Sequence, residues 1–190
     1  MIKRYILLLL YYIIIFLILF VIFPIIIVAI LAIIIIDKHS PFYLEERSGL
    51  FGKSFVIIKL RTMKSNHFKI PTKLGRFLRL LKIDELPQIF NVILGQMSLV
   101  GPRPLYMSYN EKFSNFEIQR LNVKPGITGL AQIKVIDTNN WRFKFKYDVF
   151  YSKHKSISFD FYILCKTLSF YLNLLIGNKI IIENHNRFDD

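Results

Sequence analysis

Asp84 and Glu85 stand side by side in the run Lys82–Ile83–Asp84–Glu85–Leu86–Pro87–Gln88, and they are the only acids between Glu46 and Glu111. The stretch from Glu46 to Asp84 holds ten bases and no other acid, among them Lys59, Arg61, Arg76 and Arg79. An acid pair closing a basic stretch sits in a field that keeps a carboxylate ionised and also attracts phosphate. A second candidate is Arg103, held between Pro102 and Pro104. The two prolines fix the backbone on either side of a guanidinium whose fork binds phosphate oxygens in a bidentate way. The pattern points to chemistry on a phosphorylated anion. Each feature also has a plainer reading. An Asp-Glu pair just before a proline is a common helix start, and Pro-Arg-Pro alone is a stiff turn with a surface arginine.

The elements that must position these residues follow from periodicity. Phe42–Glu45 and Phe55–Leu60 read as strands around the turn-like Ser48–Gly52, a hairpin. Lys73–Lys82 reads as a helix, with Leu74, Phe77, Leu78 and Leu81 on one face and Lys73, Arg76, Arg79 and Lys82 on another. Such a basic amphipathic helix either covers a core or lies on an anionic membrane surface. Val123–Gln132 holds a Pro-Gly turn and reads as a loop.

The chain has 190 residues, 53% of them hydrophobic, a formal charge of +13 and a mean hydropathy of +0.40. That hydrophobicity excludes a disordered chain. A single cysteine, Cys165, excludes an internal disulfide framework. Four scattered histidines give no zinc-module spacing. No charge occurs in the 32 residues from Tyr5 to Ile36, whereas residues 37–190 carry +11. One straight helix of that length would reach about 48 Å, against a hydrocarbon core of ~30 Å. Two full spans and a turn would need more than about 40 residues. Pro24 divides the run into Tyr5–Phe23 and the 12-residue Ile25–Ile36, too short to cross alone. Lys3 and Arg4 precede it, and Lys38, Arg47 and Lys53 follow, so flanking charge sets no orientation. A re-entrant segment bent at Pro24 and a tilted, kinked signal anchor are both open on these grounds. Nucleic acid is a rival partner for the basic body, but no recognition motif for it is present.

Taken together, these segments resemble the bacterial sugar transferase family, the small monotopic polyprenyl-phosphate phosphoglycosyl transferases. The matching stretches are Lys59–Met63 (KLRTM), Gly75–Arg79, Asp84–Asn91 (DELPQIFN), Gly95–Pro104 (GQMSLVGPRP), Val123–Gln132 (VKPGITGLAQ) and Tyr147–Tyr151 (YDVFY), with Ser158–Thr167 as the start of a last helix. The resemblance covers roughly Phe23 to Leu175. It implies transfer of a sugar 1-phosphate from a UDP-sugar to undecaprenyl or a similar polyprenyl phosphate, with release of UMP. The products would start O-antigen, capsule, exopolysaccharide or glycoprotein glycan assembly. It implies an α+β, mainly helical fold with a re-entrant membrane helix broken at Pro24, a short β-hairpin and interfacial amphipathic helices. The body would lie on the cytoplasmic face of the bacterial inner membrane. The expected division is a membrane helix over 1–38, a catalytic domain over 39–178 and a tail over 179–190.

By the same resemblance, Asp84 is the nucleophile that forms an acyl phosphate, and Glu85 with Asp84 holds Mg²⁺. Arg61 and Arg103 hold phosphates, Arg79 faces headgroups or the polyprenyl phosphate, and Asp148 matches an acid near the site. Membrane lipids are implied partners, nucleic acid is not, and a homodimer is compatible. Four places depart from the family pattern. Phe23 stands where Ser often precedes the bend proline, Leu7 lies near the place of a missing acid, and Gln96 replaces a usual Asp. After Gln132 the usual Asn-Gly-Arg becomes Lys134–Ile136, where sugar or nucleotide recognition would change. The rival readings are a non-catalytic membrane-bound scaffold of the same fold and a signal-anchored basic protein that binds lipid or nucleic acid.

Overall fold

A computed structural model describes residues 19–64, 70–134 and 140–175. The chain forms two compact units. The first gathers residues up to Tyr43 with Ile58–Ile89, and the second gathers Leu44–Ile57 with the residues from Phe90 onward. The apolar N-terminal helix therefore shares a unit with the acid pair.

In the first unit, helix α1 is described over Leu19–Asp37, and its last turn, Ile33–Asp37, is π-helical. The helical backbone runs on through Pro24. The predicted break in the helix is not seen among the described residues. A proline removes one donor from the ladder and bends a helix without having to end it. Most of the arm Tyr5–Phe23 and the position of Leu7 lie outside the described residues. The helix stops where Lys38 takes a left-handed conformation (φ 56°) and returns its N–H to Ile33 O at 3.1 Å. Residues Ile34, Ile35 and Ile36 are exposed, while Ile26, Ala29 and Ile33 are buried. Ala29 and Ile33 form a core with Leu60 and Leu78, flanked by Ile30, Leu74 and Ile83.

Strands β1 (Phe42–Ser48) and β2 (Ser54–Leu60) form the expected two-stranded hairpin. Its tip is a 3₁₀ turn, Leu50–Gly52, with positive φ at Phe51 and Gly52. The hairpin contributes residues to both units.

Helix α2 spans Lys73–Leu80. Thr72 caps it, its Oγ1 accepting from Gly75 N at 2.7 Å while donating to Asp37 Oδ2 at 2.7 Å. That one hydroxyl ties the start of α2 to the end of α1. A β carbon on Gly75 would overlap the Thr62 carbonyl, so glycine lets the helix lie directly on that backbone. Leu78 is buried, but Phe77 is 55% exposed. Of the two readings open for the apolar face, the exposure of Phe77 does not fit a face fully covered by a core. Phe77 lies with Leu80 on an exposed apolar strip beside the exposed Arg76.

After α2 the chain reverses at Lys82 (φ 55°) and enters a separate 3₁₀ turn, Ile83–Glu85. Helix α3, Gln88–Ile93, begins after Pro87. The two acids therefore precede α3 in a turn of their own and do not form its first turn.

In the second unit, β3 (Ser98–Val100) and β4 (Gly126–Thr128) pair in parallel, with Ser98 opposite Gly126 and Val100 opposite Thr128. The segment expected to be a loop supplies β4. The crossover between them carries 3₁₀ helices at Met107–Lys112 and Glu117–Asn122. Helices α4 (Leu130–Lys134), α5 (Trp141–His154) and α6 (Ile157–Leu175) follow. Leu105, Tyr109 and Phe145 form a core with Tyr106, Phe113 and Trp141. Tyr151 Oη donates to Asp160 Oδ1 at 2.7 Å and lies 3.1 Å from Val100 O, joining α5 to α6 and β3. Ile157, Phe161, Leu168 and Leu172 of α6 are exposed. The tail 179–190 and residues Val135 and Ile136 lie outside the described residues.

Candidate functional site

The reversal at Lys82 turns Asp84 inward. Its side chain is 8% exposed, and Oδ1 is buried without a hydrogen-bond partner. Burial raises its carboxyl above the ordinary value, and the neighbouring Glu85 charge adds to the rise. Lys59, Arg79 and Lys82 pull the other way. A buried carboxylate with an unused oxygen is costly, and three cations around it are what keep its ionised form accessible.

Glu85 is handled differently. Its Oε1 accepts from Lys59 Nζ at 3.0 Å. Lys59 is next to last in β2, on the strand face opposite Leu60, which enters the core. Arg79, in the last turn of α2, donates from Nε to Thr62 Oγ1 at 2.7 Å. Arg61 donates from Nη2 to Phe42 O at 3.3 Å. The first unit therefore holds four of the predicted site residues, with Arg79, Asp84 and Glu85 close enough to act on one another electrostatically and Arg61 on the Phe42 carbonyl.

Among the described residues there is no group of three or more His, Cys, Asp and Glu side chains that could hold a metal ion. Asp84 and Glu85 offer carboxylate oxygens, the donor type Mg²⁺ takes, and Asp84 Oδ1 has no other partner. Mg²⁺ is usually held by one or two carboxylates while substrate phosphates and water complete its shell. The pair fits that requirement.

Arg103 and Asp148 belong to the second unit. Pro102 and Pro104 are buried around a half-buried Arg103. The Arg103 carbonyl accepts from Arg120 Nη2 at 2.7 Å. Arg120 is 2% exposed and donates from Nε and Nη2 to Asp148 Oδ2 at 3.0 and 2.8 Å. Its guanidinium lies 5.5 Å from the Phe113 and Phe145 ring centroids. Burial pushes the Asp148 carboxyl up, and Arg120 draws it back. Asp148 thus engages a buried arginine, and that arginine holds the loop carrying Arg103.

Backbone packing fixes the same loop. A β carbon on Gly126 would overlap Gly101 N, and one on Gly129 would overlap Gly101 O. Gly101 N donates to Thr128 O at 2.8 Å and Gly126 N to Pro102 O at 3.0 Å. The GPRP and PGITG segments are thus joined through their backbones. Gln96 also has a structural partner. The fully buried Asn91 donates from Nδ2 to Gln96 Oε1 and to Val56 O, both at 2.7 Å.

Sequence reasoning missed Lys59 as the partner of Glu85, and it missed Arg120 altogether. Lys59 is 26 residues from Glu85 and Arg120 is 28 from Asp148. No local pattern announces either pair.

A family model described as bacterial sugar transferase matches residues 2–173. An uncharacterized sugar transferase of Bacillus subtilis, EpsL, is 42% identical over 153 residues, covering 76% of this chain and 74% of that protein. A UDP-glucose:undecaprenyl-phosphate glucose-1-phosphate transferase of Klebsiella pneumoniae is 38% identical over 66% of this chain and 31% of its own length. A UDP-N-acetylgalactosamine-undecaprenyl-phosphate N-acetylgalactosaminephosphotransferase of Aeromonas hydrophila is 35% identical over 71% of this chain and 37% of its own. The chain thus spans most of the first relative and about a third of the other two.

Proposed function

The chain belongs to the bacterial sugar transferase family, and from that premise we propose that it moves a sugar 1-phosphate from a UDP-sugar to a polyprenyl phosphate such as undecaprenyl phosphate. UMP is released, and the product begins assembly of an O-antigen, capsule, exopolysaccharide or glycoprotein glycan. The observation that carries this reading is Asp84: buried, with an unpartnered oxygen, inside a ring of Lys59, Arg79 and Lys82. The names of the longer relatives support the donor and acceptor classes.

Asp84 attacks the phosphorus that bears the sugar. The P–O bond to the UMP phosphate breaks, and UMP leaves with the electron pair. The aspartyl phosphosugar is then attacked at phosphorus by an oxygen of the acceptor phosphate, and Asp84 is released as a carboxylate. Desolvation leaves the Asp84 oxygen unencumbered for attack, while Lys59, Arg79 and Lys82 oppose the rise in its pKa that burial causes. Arg61, Arg79 and Arg103 hold phosphate oxygens in place, and such positioning supplies most of phosphoryl-transfer catalysis. Asp148 acts through Arg120 on the carbonyl of Arg103. Asp84 and Glu85 would hold Mg²⁺, which when bound neutralises charge on the diphosphate.

The enzyme works at the cytoplasmic face of the inner membrane. The apolar N-terminal segment enters and leaves by that face, turning at Pro24. The exposed apolar residues of α1, α2 and α6 support contact with lipid.

The test is UMP release by the purified chain in lipid nanodiscs, across a panel of UDP-sugars with undecaprenyl phosphate present. Release with at least one donor, with labelled sugar phosphate trapped on Asp84, supports the reading. No release with any donor overturns it.

A further inference from the structure

The first unit holds a second polar site, away from the acid pair. Where α1 ends, a cleft of about 590 Å³ opens, lined by Ile36, Asp37, Lys38, Lys64 and Lys73 among others. Three lysines and one aspartate line it, and Asp37 Oδ2 already accepts from Thr72 and lies 3.8 Å from His39 Nε2. The cleft therefore carries net positive charge with little internal compensation, which calls for an anion.

Its depth narrows the choice. Ile34, Ile35 and Ile36 are the last exposed apolar residues of α1, and Asp37, Lys38 and His39 follow directly. A helix inserted in a bilayer crosses from hydrocarbon to headgroups at that change of polarity. Because Ile36 and Lys38 both line the cleft, it lies at the level of lipid phosphates. Its volume is in the range of small-molecule sites, enough for a glycerophosphate headgroup.

The cleft is also separate from the reaction site. It is lined by Thr72, Lys73 and Leu74 at the first turn of α2, whereas Asp84 lies beyond the last turn and does not line it; Arg79 reaches back only as far as Thr62, which does not line it either. An eight-residue helix is ~12 Å long.

We infer that this cleft binds the headgroup of an anionic phospholipid, the phosphate engaging Lys38, Lys64 and Lys73 and the acyl chains running down beside Ile36. This rests on the reading of α1 as a membrane-inserted segment. Bound there, the lipid fixes how deeply the first unit sits in the bilayer.

Native mass spectrometry of the full chain in nonionic detergent tests it, titrating phosphatidylglycerol, phosphatidylcholine and soluble glycerol phosphate separately. One phosphatidylglycerol should bind at least about tenfold tighter than phosphatidylcholine, and glycerol phosphate should bind more weakly still. Each of Lys38→Gln, Lys64→Gln and Lys73→Gln should weaken phosphatidylglycerol about fivefold, and the three Lys→Arg changes together should restore it. Arg76→Gln, on α2 but outside the cleft, should leave it unchanged. Equal binding of the two lipids, binding that survives the triple Lys→Gln change, or full retention of a free phosphate in place of lipid overturns the inference. Displacement of one phosphatidylglycerol by one undecaprenyl phosphate also overturns it, because the cleft would then be the acceptor's. A lysine-dependent phosphatidylglycerol site in a chain that releases no UMP sustains the lipid site while the transferase reading fails.

Discussion

Lys59 Nζ and Glu85 Oε1 are 3.0 Å apart, an ion pair that joins β2 to the turn bearing both acids. The pair treats two adjacent carboxylates unequally. Glu85 has a cation on its oxygen, whereas Asp84 keeps one buried oxygen unpartnered and feels Lys59 only through space.

Lys59→Met tests that field. Burial raises the Asp84 carboxyl and Lys59 lowers it, so removing the ammonium raises it further. A nucleophilic carboxylate works ionised, so activity is lost as pH falls through its pKa. The acid limb of the kcat/KM profile for UMP release should move to higher pH in Lys59→Met. An unmoved limb would show that Asp84 does not sense this lysine, or is not the group titrating.

Asp84→Asn should abolish turnover, by at least about a thousandfold, yet melt higher than the parent at neutral pH. The sign follows from linkage. A carboxyl whose folded pKa is raised costs stability once it ionises, and the cost disappears below the unfolded value of 3.8. A neutral amide removes the cost while keeping the shape. Thermal unfolding in detergent and trapping of labelled sugar phosphate check both halves. A lower melting temperature, or label trapped as readily as on the parent, contradicts the assignment.

Arg103→Lys keeps the charge and loses the planar fork. Loss of one charged hydrogen bond predicts a fall of roughly 10- to 100-fold in kcat/KM, with stability within about 0.5 kcal/mol of the parent. Parent-like kinetics would reduce Arg103 to a stiff turn.

Arg120→Met should cost about 3–5 kcal/mol, because it strands a buried carboxylate. Arg120→Met combined with Asp148→Leu should recover much of that loss. Activity should stay low in the double variant, since the Arg103 carbonyl has still lost its donor. Urea unfolding alongside UMP release separates the two effects, and activity that recovers together with stability would remove Arg120 from the positioning of Arg103.

Topology can be read by labelling. A cysteine placed at Lys53, in a Cys165→Ser background because Cys165 is free and exposed, should resist a membrane-impermeant reagent on intact cells. Pro24→Ala should let α1 straighten and expose a labelled fraction. Labelling in the Pro24 parent would place the body outside and sink the re-entrant arrangement.

The acid pair, Arg103 and the hairpin are legible in the sequence because each is a local run with its own turn residues. The helix at Lys73 is legible too, but the exposure of Phe77 is not. Apolar periodicity marks a face that avoids water, and a protein core and a lipid surface meet that condition equally. The reversal at Lys82 escapes notice because it is a left-handed turn made without glycine. Lys59–Glu85 and Arg120–Asp148 depend on tertiary approach, which spacing does not encode.

The burial of Ala29 and Ile33 against Leu60 and Leu78 has a practical consequence. The apolar helix is commonly what one would cut away to make such a protein easier to handle in water. Here a chain beginning at Ser40 would lose one wall of the pocket that holds Leu60, Leu78 and Ile83, each large side chain worth ~1.5–3 kcal/mol when covered. Ile83 is the residue next to Asp84. The severed body would thus be loosened at the point where its chemistry is placed, and detergent or nanodisc preparations of the whole chain are the material in which activity should be sought.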